Sequence, residues 1–141
     1  MHKQRGVTLV ELMTVILILG ILSAIAIPGY SSYVRKTKRA DAKVALTSTA
    51  QQLERCYTRY YSYVQVANGG QCPLVLPYNT PNGTYTIDAD AAAAPTPGIT
   101  ASTFALKATP IGNQALDTHC ANFTLNQNNV QAVSTGALDC W

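Results

Sequence analysis

The sequence predicts an α+β protein: a long N-terminal helix, half membrane-like and half amphipathic, packed on a small antiparallel sheet of three or four strands. Three observations carry this. Residues 7–27 form a stretch of 21 residues, largely apolar and carrying a single charge, the carboxylate of Glu11. From Leu46 to Tyr60 the apolar residues Leu46, Ala50, Leu53, Tyr57 and Tyr60 are spaced 4, 3, 4 and 3, which is one helical face. Beyond Tyr61, short segments of alternating polarity are separated by Gly, Pro and Asn, the punctuation of strands and turns.

In chain order, residues 1–6 are a short basic leader containing Lys3 and Arg5. Residues 7–28 follow as a membrane and assembly helix. Its 21 apolar-run residues would span about 30 Å as a helix, the thickness of a bilayer core. A secretory signal peptide is the rival reading. It fits poorly, because the run is long and continues through "SAIAIPGY" into helical sequence with no clean A-x-A site, so the segment is read as retained. Pro28 removes a backbone donor and crowds the preceding turn, so a kink is expected there. Residues 29–141 form the head, which opens with amphipathic helix to about residue 61. Lys43, Thr47, Gln51, Glu54 and Thr58 line the polar face of that helix. Strands are expected at "TYTIDA" from Thr84, "TFALKAT" from Thr103 and "NFTLNQ" from Asn122. "NNVQAV" from Asn128 is a fourth candidate. Residues 88–98, "DADAAAAPTPG", read as an exposed loop.

Charged residues make up only 12% of the chain, about half the usual share of a soluble domain. The net charge is +3. The base is concentrated in Arg35, Lys36, Lys38, Arg39 and Lys43, and from Gly69 onward Lys107 is the only lysine or arginine. A general nucleic-acid-binding surface is therefore not implied. The four cysteines, Cys56, Cys72, Cys120 and Cys140, lack the C-x-x-C spacing of zinc or thioredoxin-like sites. An even number behind an export-like N-terminus reads as two disulfides in an oxidising compartment. Of three possible pairings the sequence-local one is favoured, Cys56 with Cys72 and Cys120 with Cys140. Each would close a loop worth roughly 3 kcal/mol in the chain-entropy view.

The sequence holds little sign of catalysis. His2 lies in the leader, and His119 stands beside a cysteine expected to be oxidised. No acid forms a close pair with a second acid or a histidine on a rigid element. Asp88 and Asp90 fall well short of the six to eight oxygens that calcium takes. No Gly-rich phosphate loop is present. The expectation is a non-enzyme without metal or cofactor.

R-G-V-T-L-V-E-L at residues 5–12, followed by a helix ending "GILSAIAIPGYSSYVRK", resembles the N-terminus of type IV pilins and of their relatives, the type II secretion pseudopilins. The likeness is specific over residues 5–35, and the remaining architecture is compatible with the type IV pilin fold. "TLNQ" from Thr124, with Cys120 and the closing Cys140-Trp141, looks like the PilE-type pilins, which in several systems are minor components. The resemblance implies cleavage after Gly6 by a prepilin peptidase on the cytoplasmic side. Val7 would become the new N-terminus, with its amine methylated, although the family usually has Phe there. Glu11 matches the family's glutamate, and Pro28 its helix-breaking proline. Cys120 and Cys140 would bracket the family's C-terminal loop. Implied partners are other pilin subunits, the peptidase, a pilus assembly platform and the inner membrane, with extracellular fibres as the destination.

The charge at Glu11 then has a physical reading. Val7 and Glu11 are i and i+4, on one helical face about 6 Å apart along the axis. An amine and a carboxylate in lipid lower each other's cost by pairing. Between neighbouring chains such a pair would set the register of a fibre. The plainer reading is an acid at a helix N-terminus, favoured by the dipole. The basic cluster after the span runs against the positive-inside rule. It would meet headgroups of the outer leaflet or acids on neighbouring subunits, and the sequence does not choose.

The leading expectation is a structural subunit of a type IV pilus, minor in type. A type II secretion pseudopilin is an alternative. A pilin that captures DNA for competence is another, for which Arg55, Arg59, Tyr57, Tyr60, Tyr61 and Tyr63 form a suggestive cluster.

Overall fold

The amphipathic stripe and the alternating segments meet in one core. The computed structural model describes residues 7–64, 74–93 and 98–141, without the side chains of residues 26–28. Helix α1 spans Leu9–Tyr60. Strands β1 (Tyr78–Asn79), β2 (Tyr85–Ala89), β3 (Ala105–Pro110), β4 (Phe123–Asn126) and β5 (Gln131–Val133) follow, with a 3₁₀ helix at Gly112–Leu116. The chain divides into two compact units at the Arg35/Lys36 boundary.

In the first unit α1 begins at a threonine cap. The Thr8 hydroxyl accepts a hydrogen bond from the Glu11 amide at 3.3 Å. Thr8 to Glu11 is the S/T-x-x-E spacing of a capping box, with the acid placed where the helix dipole favours it. The bond to Thr8 comes from the Glu11 amide, and the dipole favours a carboxylate at this position whatever else Glu11 does. Helix continues through Pro28, so the proline does not end it. Its side chain, on which a kink would depend, lies outside the described residues.

In the second unit Ala42, Ala45, Leu46 and Leu53 of α1 join one buried cluster with Tyr85, Ile87, Phe104, Leu106, Ala108, Phe123 and Leu125. Ala50 and Tyr57 pack against it half-buried, while Thr47, Gln51, Glu54 and Thr58 are exposed as expected. The expected face was too narrow: Ala45, Thr49 and Cys56 are buried as well. Thr49 escapes an apolar reading because its hydroxyl is satisfied. It donates to the Ala45 carbonyl at 2.8 Å and lies 2.7 Å from the Tyr78 hydroxyl. Tyr78→Phe is expected to cost about 1 kcal/mol in a urea melt, the net worth of one such bond.

The sheet is an antiparallel meander in the order β1-β2-β3-β4-β5. The register pairs Ile87 with Ala108 and Leu106 with Leu125, stacking buried positions across strands. All four expected strands are present. The fifth, β1, is only two residues long and follows Pro77, so no alternation could announce it. Both edge strands are short, which limits edge-to-edge pairing. The turn into β2 places Gly83 at φ +61, a backbone region that glycine enters without strain.

The loop expected at residues 88–98 is corrected at its start. Asp88 and Ala89 belong to β2, and Asp90 is 8% exposed. Its amide donates to the Ala105 carbonyl and its carboxylate lies 3.6 Å from Lys107. Pairing across the sheet overrides the loop-like composition here. Residues 94–97 of that segment lie outside the described residues.

Candidate assembly interface

The apolar half of α1 has no cover within its own unit. From Val7 to Ile25 every large hydrophobic side chain is about half-exposed or more, with Leu9 and Ile25 each at 74%. The helix is long and apolar enough to cross a membrane. Val7 is itself 71% exposed. Among the described residues no ion pair engages the Glu11 carboxylate, so its charge is available to a partner outside the chain.

The head is closed at its C-terminal end by a polar clasp. Arg39 on α1 holds Asp117 in a two-pronged pair, Nε to Oδ2 at 2.7 Å and Nη2 to Oδ1 at 2.8 Å. Gln114 of the 3₁₀ helix donates to the Tyr85 hydroxyl at 3.0 Å and to Asp117 at 3.3 Å. The guanidinium hydrogen bonds hold the Asp117 carboxyl below the usual carboxylate range, and Asp117 in turn raises Arg39. This planar, charge-assisted fork fixes the segment before Cys120 to the helix. Cys120 is bonded to Cys140. Trp141 packs edge-on against Phe123 and donates to the Ala132 carbonyl at 2.8 Å. Cys56 is also disulfide-bonded, and Cys72, its expected partner, lies outside the described residues.

Burial pushes the Tyr85 hydroxyl up to about 12. The neutral form is the one the core accepts, so folding favours the protonated phenol. In the unfolded chain the group titrates near 10. Stability should therefore hold below about pH 10 and fall as pH rises toward about 12. Denaturant melts between pH 9 and 12 would show this, and Tyr85→Phe should flatten the slope.

His119 approaches Asp139 at 2.9 Å, an exposed pair beside the disulfide. Ligand atoms of His119, Cys120 and Cys140 lie within 4.8 Å of one another, but the two sulfurs are committed to each other. The tyrosines expected near Arg55 and Arg59 separate into two groups. Tyr63 is buried, stacked on Tyr57 at 4.5 Å and edge-on to Phe104 at 5.1 Å, so both tyrosines serve packing. Arg59 lies 6.0 Å over the Tyr60 ring, and Tyr61, at φ +53 just past the helix, is 82% exposed. Arg55 and Arg59 are exposed. Arg55 also borders an open cleft of about 440 Å³ with Gln51, Asn126, Gln127 and Asn129. Sequence reasoning did not find the clasp or this cleft. The charged pair Arg39–Asp117 spans 78 positions, and no local spacing signals it.

Residues 1–27 match a family model described as a prokaryotic N-terminal methylation motif. Residues 28–124 match a second, described as type IV minor pilin ComP, DNA uptake sequence receptor. A type IV pilin from Shewanella oneidensis aligns with a TM-score of 0.51 at 26% identity, covering 76% of this chain and 97% of that one. Prepilin peptidase-dependent protein D of Escherichia coli is 39% identical over 57% of this chain and 54% of its own length. The type IV major alpha-pilin of Moraxella bovis is 50% identical over 36% of this chain and 33% of its own. The chain thus spans between a third and about half of these two relatives. The long helix packed on an antiparallel meander, the closing disulfide and the match across residues 28–124 agree, and the chain belongs to the type IV minor pilin family.

Proposed function

We propose that the protein is a minor structural subunit of a type IV pilus. It is cleaved after Gly6, its Val7 amine is methylated, and residues 7–28 hold it in the inner membrane with the N-terminus cytoplasmic. It is then drawn into an extracellular fibre with other pilin subunits by the assembly platform. The observation that carries this reading is the uncovered apolar half of α1, which needs lipid or other helices around it. A pseudopilin of type II secretion would share the helix, and the Cys120–Cys140 loop favours the pilus. The proposal is tested on fibres sheared from the native host. The chain should be recovered there, and its mass should begin at a methylated Val7. Absence from fibres together with presence in a secretion pseudopilus would overturn it.

A second reading, DNA capture, is favoured by the family description matched over residues 28–124. The side chains open to a phosphate backbone at the end of α1 are Arg55, Arg59 and Tyr61. A gel shift across a salt series should show affinity falling steeply, with a slope of about 0.9 per phosphate neutralised. Arg55→Gln with Arg59→Gln should make that slope shallower by about two such contacts. Salt-insensitive binding, or an unchanged slope in the double variant, would remove this surface from consideration.

A further inference from the structure

The turn between β1 and β2 reads Thr80-Pro81-Asn82-Gly83-Thr84. Asparagine is thermolabile, and before glycine most of all, because no side chain shields the glycine nitrogen from the asparagine side chain. Asn82 and Gly83 are both exposed, and a Cβ at Gly83 would meet nothing within 4 Å. Water reaches the pair, yet the fold holds both reacting groups. The Gly83 amide, the nucleophile, donates to the Thr80 carbonyl at 2.8 Å. Asn82 Nδ2, the leaving group, donates to both carboxylate oxygens of Asp41 at 3.1 and 3.0 Å. Asp41 lies on α1, in the same unit as the turn. Its Oδ2 also accepts the Thr84 hydroxyl at 2.9 Å. Beneath, Thr80 Oγ1 accepts the Thr84 and Tyr85 amides at 3.2 and 3.1 Å. Thr80 and Thr84 are buried. Together these bonds make a polar latch between helix and hairpin, charge-assisted at Asp41.

We propose that Asn82 is a deamidation site guarded by this latch, and that its conversion once the latch opens keeps the latch open. Water is the only co-reactant. The Gly83 nitrogen gives its proton to solvent base and bonds to Asn82 Cγ. The Cγ–Nδ2 bond breaks, and ammonia leaves from a five-membered succinimide. Water then opens the ring. Breaking the Cγ–N bond gives aspartate, and breaking the bond from the backbone carbonyl gives isoaspartate, with the main chain rerouted through the side chain. Asp41 opposes the attack twice. It holds the amide in place, and its carboxylate repels the negative charge that develops at Cγ. After conversion the same carboxylate faces a second one where it had a donor, and two like charges at that spacing repel. The isoaspartate product also lengthens the turn and displaces the Gly83 amide from Thr80. Local opening of the hairpin is thereby turned into a permanent change.

The full-length chain in mild detergent is aged in mildly alkaline buffer, and peptide mapping follows the mass gain and isoaspartate at position 82. Folded wild type should convert at least about tenfold more slowly than the same chain in urea, as loss of a charge-assisted bond implies. Asp41→Asn should recover about tenfold in rate while Trp141 fluorescence still reports a folded head. Thr84→Val, which removes a donor that holds Asp41 to the turn, should act in the same direction and carries the comparison where Asp41→Asn does not fold. Equal rates in buffer and urea overturn the guard, as does a rate unchanged in a folded variant of either kind. Asn82→Asp reproduces the aspartate product. It should speed hydrogen exchange of the Thr84 and Tyr85 amides by about tenfold. Adding Asp41→Asn restores one amide facing one carboxylate, with the roles exchanged, and should return exchange to the wild-type rate. Wild-type exchange in Asn82→Asp alone, or no rescue in the double variant, overturns the claim that conversion keeps the latch open.

Discussion

Glu11→Ala is expected to leave the chain processed and membrane-bound but to lower its recovery in sheared fibres by at least tenfold. The reason is the cost of a charge left alone in an apolar bundle. Removing one partner of a desolvated ion pair costs about 3–5 kcal/mol, because the surviving charge keeps its desolvation penalty. Here the survivor would be the Val7 amine that the proposed cleavage after Gly6 releases. The ratio of fibre to membrane protein on quantitative blots measures the effect. The structure adds a competing explanation that this experiment has to separate. Glu11 also occupies the third helical position after the Thr8 cap, worth about 0.3–1 kcal/mol through the dipole. Glutamine can serve that capping position but carries no charge. Glu11→Gln should therefore assemble as poorly as alanine if charge pairing sets the register. Normal assembly of Glu11→Gln would leave Glu11 as a helix cap and nothing more. Replacing Gly6 supplies the converse: a longer, unprocessed chain in which Val7 has no free amine, with the same assembly defect.

Asp117→Ala is expected to destabilise the folded head by about 3 kcal/mol, within the range for breaking a buried pair. Arg39 would remain with its side chain only 12% exposed and without its carboxylate. In a unit of this size the loss corresponds to roughly 10 °C or more in Tm. Trp141, the single tryptophan, packs on Phe123 in the same core and reports unfolding by fluorescence of the full chain in mild detergent. Acid adds a second signature. The folded Asp117 carboxyl titrates below its ordinary range, so the unfolded chain takes up the proton first as pH falls. The stabilisation from the pair is present above about pH 4 and disappears as pH drops through the lower folded value. Wild type should lose this increment in acid, and Asp117→Ala, lacking it already, should not. Equal acid slopes in the two proteins would show that the pair contributes nothing net.

The long helix and four of the five strands were legible because each is a local pattern. The 3.6-residue stripe from Leu46 and the alternation in "TYTIDA" are readable within a window of a few residues. The Arg5-to-Leu12 motif, with Glu11 as the lone acid in the apolar run, pointed to the family and to the assembly role proposed here. The pairing of Cys120 with Cys140 was favoured but not compelled by spacing. What the sequence could not yield depends on chain segments far apart. β1 exists because Tyr78 and Asn79 find Ile87 and Thr86 as neighbours, not because of their own composition. Asp90 is a buried ion-pair partner instead of a loop acid because β3 brings Lys107 beside it. Tyr57 and Tyr63 are core and Tyr61 is surface, although all three look alike in sequence, because Tyr63 meets Phe104 from across the fold. Arg39, one of five basic residues in a run, is singled out by an aspartate 78 positions away. Periodicity and motif determined the elements and the family. Which polar groups are spent inside the head, and which remain for lipid, nucleic acid or a neighbouring subunit, was decided by tertiary contact, since satisfying a buried charge takes a partner that local sequence does not supply.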